Sequence, residues 1–197
     1  MNRIKAFYKA NNFPWVTFKR YWKNASVSEL LMDVLVPVVV SFVLLYFTSI
    51  SVSKLTILIE KFQQVSGQVI AAISILAGFN IASITILATI TGGPTGVLRR
   101  RRNADGSMNL YETLICFFTW AVIIQLIVVL LSIILYYVGF FIPSRISKWS
   151  IPWWAWGLAE LWLTITIHSI FLSLRNMKTL YLYVTYKEPD PSNSTHN

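Results

Sequence analysis

The sequence predicts an all-α polytopic membrane protein with four transmembrane helices, both termini in the cytoplasm and an N-terminal interfacial helix. Three observations carry that fold class. Uncharged stretches run over 34–53, 62–98, 113–144 and 149–174, the last interrupted only by Glu160, and each reaches the about 20 residues that cross a bilayer. None alternates with period two, so helices rather than a closed barrel must satisfy the backbone in lipid. Composition agrees, with 55% hydrophobic and 13% charged residues and a mean hydropathy of +0.59.

The spans fall at about 31–53, 67–91, 113–141 and 153–174 within a membrane domain over 31–175. A segment over 1–30, a basic loop over 92–112 and a tail over 176–197 remain outside it. None of these can bury a core of its own, which leaves no room for a catalytic domain. Cationic residues set the orientation. Arg3, Lys5, Lys9, Lys19, Arg20 and Lys23, the loop arginines, and Arg175, Lys178 and Lys187 fall on one side, against Lys54, Lys61, Arg145 and Lys148 on the other. The more basic side is read as cytoplasmic, and the net charge of +9 is first a topology signal.

Taken in order, Pro14 suits a first helical turn, and Trp15, Phe18, Tyr21 and Trp22 then recur at helical spacing beside Lys19, Arg20 and Lys23. Such a helix lies on an anionic leaflet or packs on a partner protein. Ser26 and Glu29 form a capping box for the first span and place Glu29 and Asp33 near the headgroups. Leu55, Leu58, Ile59, Phe62 and Val65 share a face, so the next connection is a short amphipathic helix or an extension of a span.

The second span carries Gly67 and Ala71, then Ser74, Gly78 and Ala82, at every fourth position. Small residues at that spacing let helix backbones approach, so this span is expected to be the most buried and to mediate helix packing and oligomerisation. Glycine and proline over 91–96 end it. Arg99, Arg100, Arg101 and Arg102 follow, to enforce topology, touch lipid phosphates or meet an acidic partner, and Asp105-Gly106 signals a turn. Tyr136 and Tyr137 suit the outer interface, as does the tryptophan belt of Trp149, Trp153, Trp154 and Trp156 around Pro152. Met177, Leu180, Tyr181 and Val184 carry a helical stripe beyond the last span, and a polar tail follows.

Glu160, Thr164 and His168 lie four residues apart and share one face of the fourth span, Glu160 in its outer half and His168 in its inner half. Polar residues at membrane depth face a bundle interior or a wet cavity. Asn80 and Gln125, near the middles of spans two and three, are expected to meet Thr164 in a midplane cluster. Two readings stay open: these groups tie helices together, or Glu160 and His168 form part of an ion or proton path. Glu160 and His168 lack a third ligand for a metal, and no cofactor is expected. The single cysteine, Cys116, allows no intrachain disulfide and reads as apolar filler. No nucleophile, base and orienting group occur together, so an enzyme is not expected, nor is direct nucleic-acid binding.

In length, in its four spans and in Ala77-Gly78-Phe79-Asn80 within a small-residue second span, the chain resembles the KwaA family, the membrane components of the Kiwa antiphage defence system. The resemblance implies a homo-oligomer, a tetramer, in the bacterial inner membrane that senses phage attack and acts with a cytosolic partner. The expected function is a non-enzymatic sensor or scaffold in contact with membrane lipids. The alternative is a pore-forming channel or depolarising effector.

Overall fold

The computed structural model describes residues 12–90, 94–102, 108–141 and 150–185. They form helices α1 (Phe13–Asn24), α2 (Val27–Ser51), α3 (Leu55–Thr89), α4 (Pro94–Arg100), α5 (Leu110–Phe140) and α6 (Trp153–Val184). Among the described residues there is no strand, only isolated bridges joining Lys54 to Ser150 and Arg102 to Asn109. Helices α2, α3, α5 and α6 are long and apolar enough to cross a membrane, and the protein is an all-α multi-pass membrane protein. The Asp105-Gly106 turn, Trp149 and the tail beyond 185 lie outside the described residues.

Local chemistry sets the helix starts. Ser26 Oγ accepts the Glu29 N–H at 3.3 Å while the Glu29 carboxylate accepts the Ser26 N–H at 2.7 Å, which is the expected capping box. Asn109 and Glu112 make a second such box at the start of α5. The apolar face from Leu55 to Val65 is an extension of the span: α3 begins at Leu55 rather than 67 and runs unbroken for 35 residues, with Phe62 against Trp162. At 1.5 Å per residue it is about 50 Å long, so it projects beyond about 30 Å of hydrocarbon. Likewise α6 continues past 174 to Val184, because Asn176 and Tyr183 remain buried.

Helices α3 and α5 form the main antiparallel pair, α6 lies against both, α2 packs mostly on α6, and α1 crosses the base of α5. The Tyr111 hydroxyl reaches the Leu87 carbonyl at one end of the pair, and Gln63 reaches the Tyr136 carbonyl at the other. At the first of these ends Thr95 of α4 bonds Tyr183 of α6, and Arg175 of α6 stacks over Tyr21 of α1. Both ends of the described chain and the arginine segment therefore share one end of the bundle.

Two expectations need correcting. The most enclosed span is α5, not the second span: 39% of its most apolar window is buried against 22% for α3. Helices α1, α3, α4 and α6 all touch α5, whereas α3 turns inward a different face, made of Ile73, Ala77, Asn80, Ser83 and Leu87. Ser74, Gly78 and Ala82 point away from the subunit, and a side chain at Gly78 would meet nothing within 4 Å. The aromatic face of α1 does not simply rest on headgroups either. Tyr21 and Thr17 are buried, and Phe18 and Tyr21 pack on Trp120 with ring centroids 5.2 and 5.8 Å apart. Trp15, Trp22, Lys19, Arg20 and Lys23 remain exposed along the flanks.

Candidate functional site

The seam between α2 and α6 gathers most of the ionisable side chains inside the bundle. Asp33, Pro37, Ser41 and Leu45 are buried at four-residue intervals, so they form one stripe of α2. Glu160, Thr164 and His168 form the facing stripe of α6, and Arg175 extends it. The helices run antiparallel, so Ser41 meets Glu160 and Thr164 while Asp33 meets His168 and Arg175. Ser41 Oγ donates to Glu160 Oε1 and lies 2.7 Å from Thr164 Oγ1, which is itself 3.1 Å from Glu160 Oε1. The second carboxylate oxygen, Glu160 Oε2, is buried with no hydrogen-bond partner among the described residues.

The other end of the seam has its own sequence logic. Pro37 has no N–H to give to the Asp33 carbonyl four residues back, and a π-helical turn covers Leu31–Leu35. His168 Nδ1 bonds that carbonyl. A carbonyl only accepts, so Nδ1 carries the proton. The Asp33 carboxylate, 2% exposed, takes the Arg175 guanidinium and the Tyr21 hydroxyl, the latter at 2.8 Å. Arg175 also lies over Tyr21 and Phe117, its Cζ 5.4 and 4.7 Å from the ring centroids. Those rings face a guanidinium whose Nε and Nη2 have no hydrogen-bond acceptor among the described residues. Burial pushes the Tyr21 pKa up, and the Asp33 charge beside it acts in the same direction, so the phenol remains a proton donor at neutral pH.

A second network joins α3, α5 and α6. Asn80 Nδ2 lies 3.0 Å from both Gln125 Oε1 and Ser173 Oγ and 3.1 Å from the Leu76 carbonyl oxygen, so its two N–H groups are shared among three acceptors. Asn176 Nδ2 donates to Asn80 Oδ1 at 3.2 Å, and Gln125 Nε2 bonds Ser173 Oγ. Asn80, Gln125 and Ser173 are fully buried, and Asn176 is nearly so. The expected pairing of Asn80 with Gln125 is present; Thr164 is not part of it, because its face of α6 turns to α2. Low dielectric strengthens bonds of this kind and makes a missing partner costly.

Asp33, Ser41, Arg175, Tyr21, Ser173 and Asn176 are the site residues that sequence reasoning passed over. Asp33 is placed near the headgroups by its position in a first helical turn, and Arg175 is counted only as a topology charge. The four-residue spacing of Asp33, Pro37 and Ser41 is the signal that matches the Glu160, Thr164 and His168 stripe. At the basic end, Arg99 lies over the Tyr111 ring, 4.8 Å from its centroid, and Arg99, Arg100, Arg101 and Arg102 are exposed. Lys19 lies over Trp15 at 5.2 Å. Among the described residues no group of three or more His, Cys, Asp or Glu side chains is placed to hold a metal ion. Chemically the site can hold charge in the membrane, relay movement of α2 to α1 through Tyr21, and present cations at one end. No family model, curated protein or solved structure matches the chain.

Proposed function

We propose that the protein is a non-enzymatic, homo-oligomeric sensor or scaffold of the bacterial inner membrane that docks a cytosolic partner in antiphage defence. The observation that carries this reading is the bond from Tyr21, on the helix outside the spans, to Asp33, where α2 is held to α6. A disturbance of the bilayer that shifts α2 against α6 moves the group on which α1 hangs. The readout surface is the cytoplasmic end, with Lys19, Arg20, Lys23 and the four loop arginines offered to anionic headgroups and to an acidic face of the partner. Tyr21→Phe keeps the ring on Trp120 and Arg175 and removes only the hydroxyl. It should assemble normally and lose most protection in phage-challenged cells; full protection would remove the relay.

Assembly is assigned to the outward small-residue face of α3. Since a Cβ at Gly78 would meet nothing within 4 Å among the described residues, Gly78→Leu should fold yet elute as a smaller species after detergent extraction. An unchanged elution volume and crosslinking pattern would place that face against lipid. The pore reading draws on one observation, the unpartnered Glu160 oxygen at membrane depth. Conductance of the purified protein in liposomes separates the two, because a pore leaks once triggered and a scaffold does not.

A further inference from the structure

We propose that Glu160, Ser41 and Thr164 form a binding site for a sodium-sized monovalent cation inside the α2–α6 seam. The assignment rests on the donor set and on a missing bond, and it stands whether or not the protein is a sensor.

Three side-chain oxygens converge there from two helices. Glu160 Oε1, Ser41 Oγ and Thr164 Oγ1 are mutually within hydrogen-bond distance, and Ser41 Oγ lies 3.0 Å from the Val38 carbonyl oxygen. Glu160 Oε2 is enclosed beside them, without a partner among the described residues. Two hydroxyl protons cannot satisfy all these acceptors, because each hydroxyl donates once and the carboxylate alone offers about four lone-pair sites. A carboxylate in this position is costly to leave uncompensated in lipid. The guanidinium of the same seam does not serve it, since Arg175 is held by Asp33.

The chemistry selects the ion. All donors are oxygen, which suits hard cations and not the softer transition metals that favour imidazole or thiolate. One carboxylate balances a single positive charge, whereas a divalent ion would leave excess charge in the bilayer and ordinarily recruits more carboxylates or waters. A bound ion would turn the Ser41 and Thr164 hydrogens outward and draw both Glu160 oxygens onto itself. It would thereby lock α2 to α6 at a level separate from the Asp33–Arg175 pair.

The test uses purified full-length protein in detergent micelles. Tryptophan fluorescence melts are recorded in sodium, potassium and choline chloride at constant ionic strength and fixed pH, alongside binding of radioactive sodium. The expected result is a saturable rise of the melting midpoint with sodium, weaker with potassium and missing with choline, at about one ion per chain. Ser41→Ala removes one ligand but no charge and should weaken apparent sodium affinity about tenfold. Glu160→Gln should melt independently of sodium. Equal midpoints in sodium and choline would overturn the proposal. So would a sodium response retained by both variants, or a midpoint that follows pH from 5 to 8 without any sodium effect, which would make a proton the occupant.

Discussion

Asp33→Ala should lower the stability of the bundle by about 3–5 kcal/mol, the cost of leaving one member of a buried ion pair without its partner. Arg175 would keep its charge among Tyr21 and Phe117 and lose the carboxylate that neutralises it. Tyr21 would lose its acceptor as well. Thermal unfolding of purified protein in detergent checks the loss. The double variant Asp33→Ala, Arg175→Met should recover a large part of it, because the stranded charge is gone and the long apolar chain still packs on the rings. If Asp33→Ala melts with the parent protein, the pair is ornamental and the relay through Tyr21 loses its anchor.

Asn80→Ala should cost about 2 kcal/mol, taking about 0.6 kcal/mol for each hydrogen bond within a membrane bundle. Asn80 bonds the Leu76 carbonyl, Gln125, Ser173 and Asn176. Its removal strands a buried Gln125 oxygen that lipid cannot hydrate. Asn176→Ala, which deletes the bond to Asn80 Oδ1, should be milder. Melting midpoints of the two variants check the order, and the reverse order would move the hub of the network to α6.

The spans were readable in the sequence because hydrocarbon thickness and backbone satisfaction leave few choices, and the capping box at Ser26 and Glu29 marked the first start. The stripe of Glu160, Thr164 and His168 was readable from spacing alone, as was the meeting of Asn80 with Gln125. What spacing could not supply is which helix each face turns toward. Thr164 was assigned to the wrong network because that choice depends on how α6 rotates between α2 and the α3–α5 pair. The same limit explains Gly78: a small-residue face permits close approach, yet whether that face turns into the bundle is not written in its period. Asp33 and Arg175 were hidden by their positions at the ends of the spans read from sequence, where a charge ordinarily needs no partner.

The pairing of α2 with α6 also bears on how the chain is made. Asp33 and Arg175 stand 142 residues apart, so the first span leaves the ribosome long before the last one exists. Until then Asp33 has only the Tyr21 hydroxyl, its carbonyl lacks the N–H that Pro37 cannot supply, and Ser41 has only the Val38 carbonyl of its own helix. Helix α2 is therefore expected to sit shallowly at first, with Asp33 in the headgroups, while α3 and α5 close on each other. Arrival of α6 supplies the guanidinium, imidazole and hydroxyl together and draws the first helix to its final depth. A nascent chain stopped before Trp153, and so without α6, should therefore expose the start of α2 to water-soluble labels that the finished protein refuses.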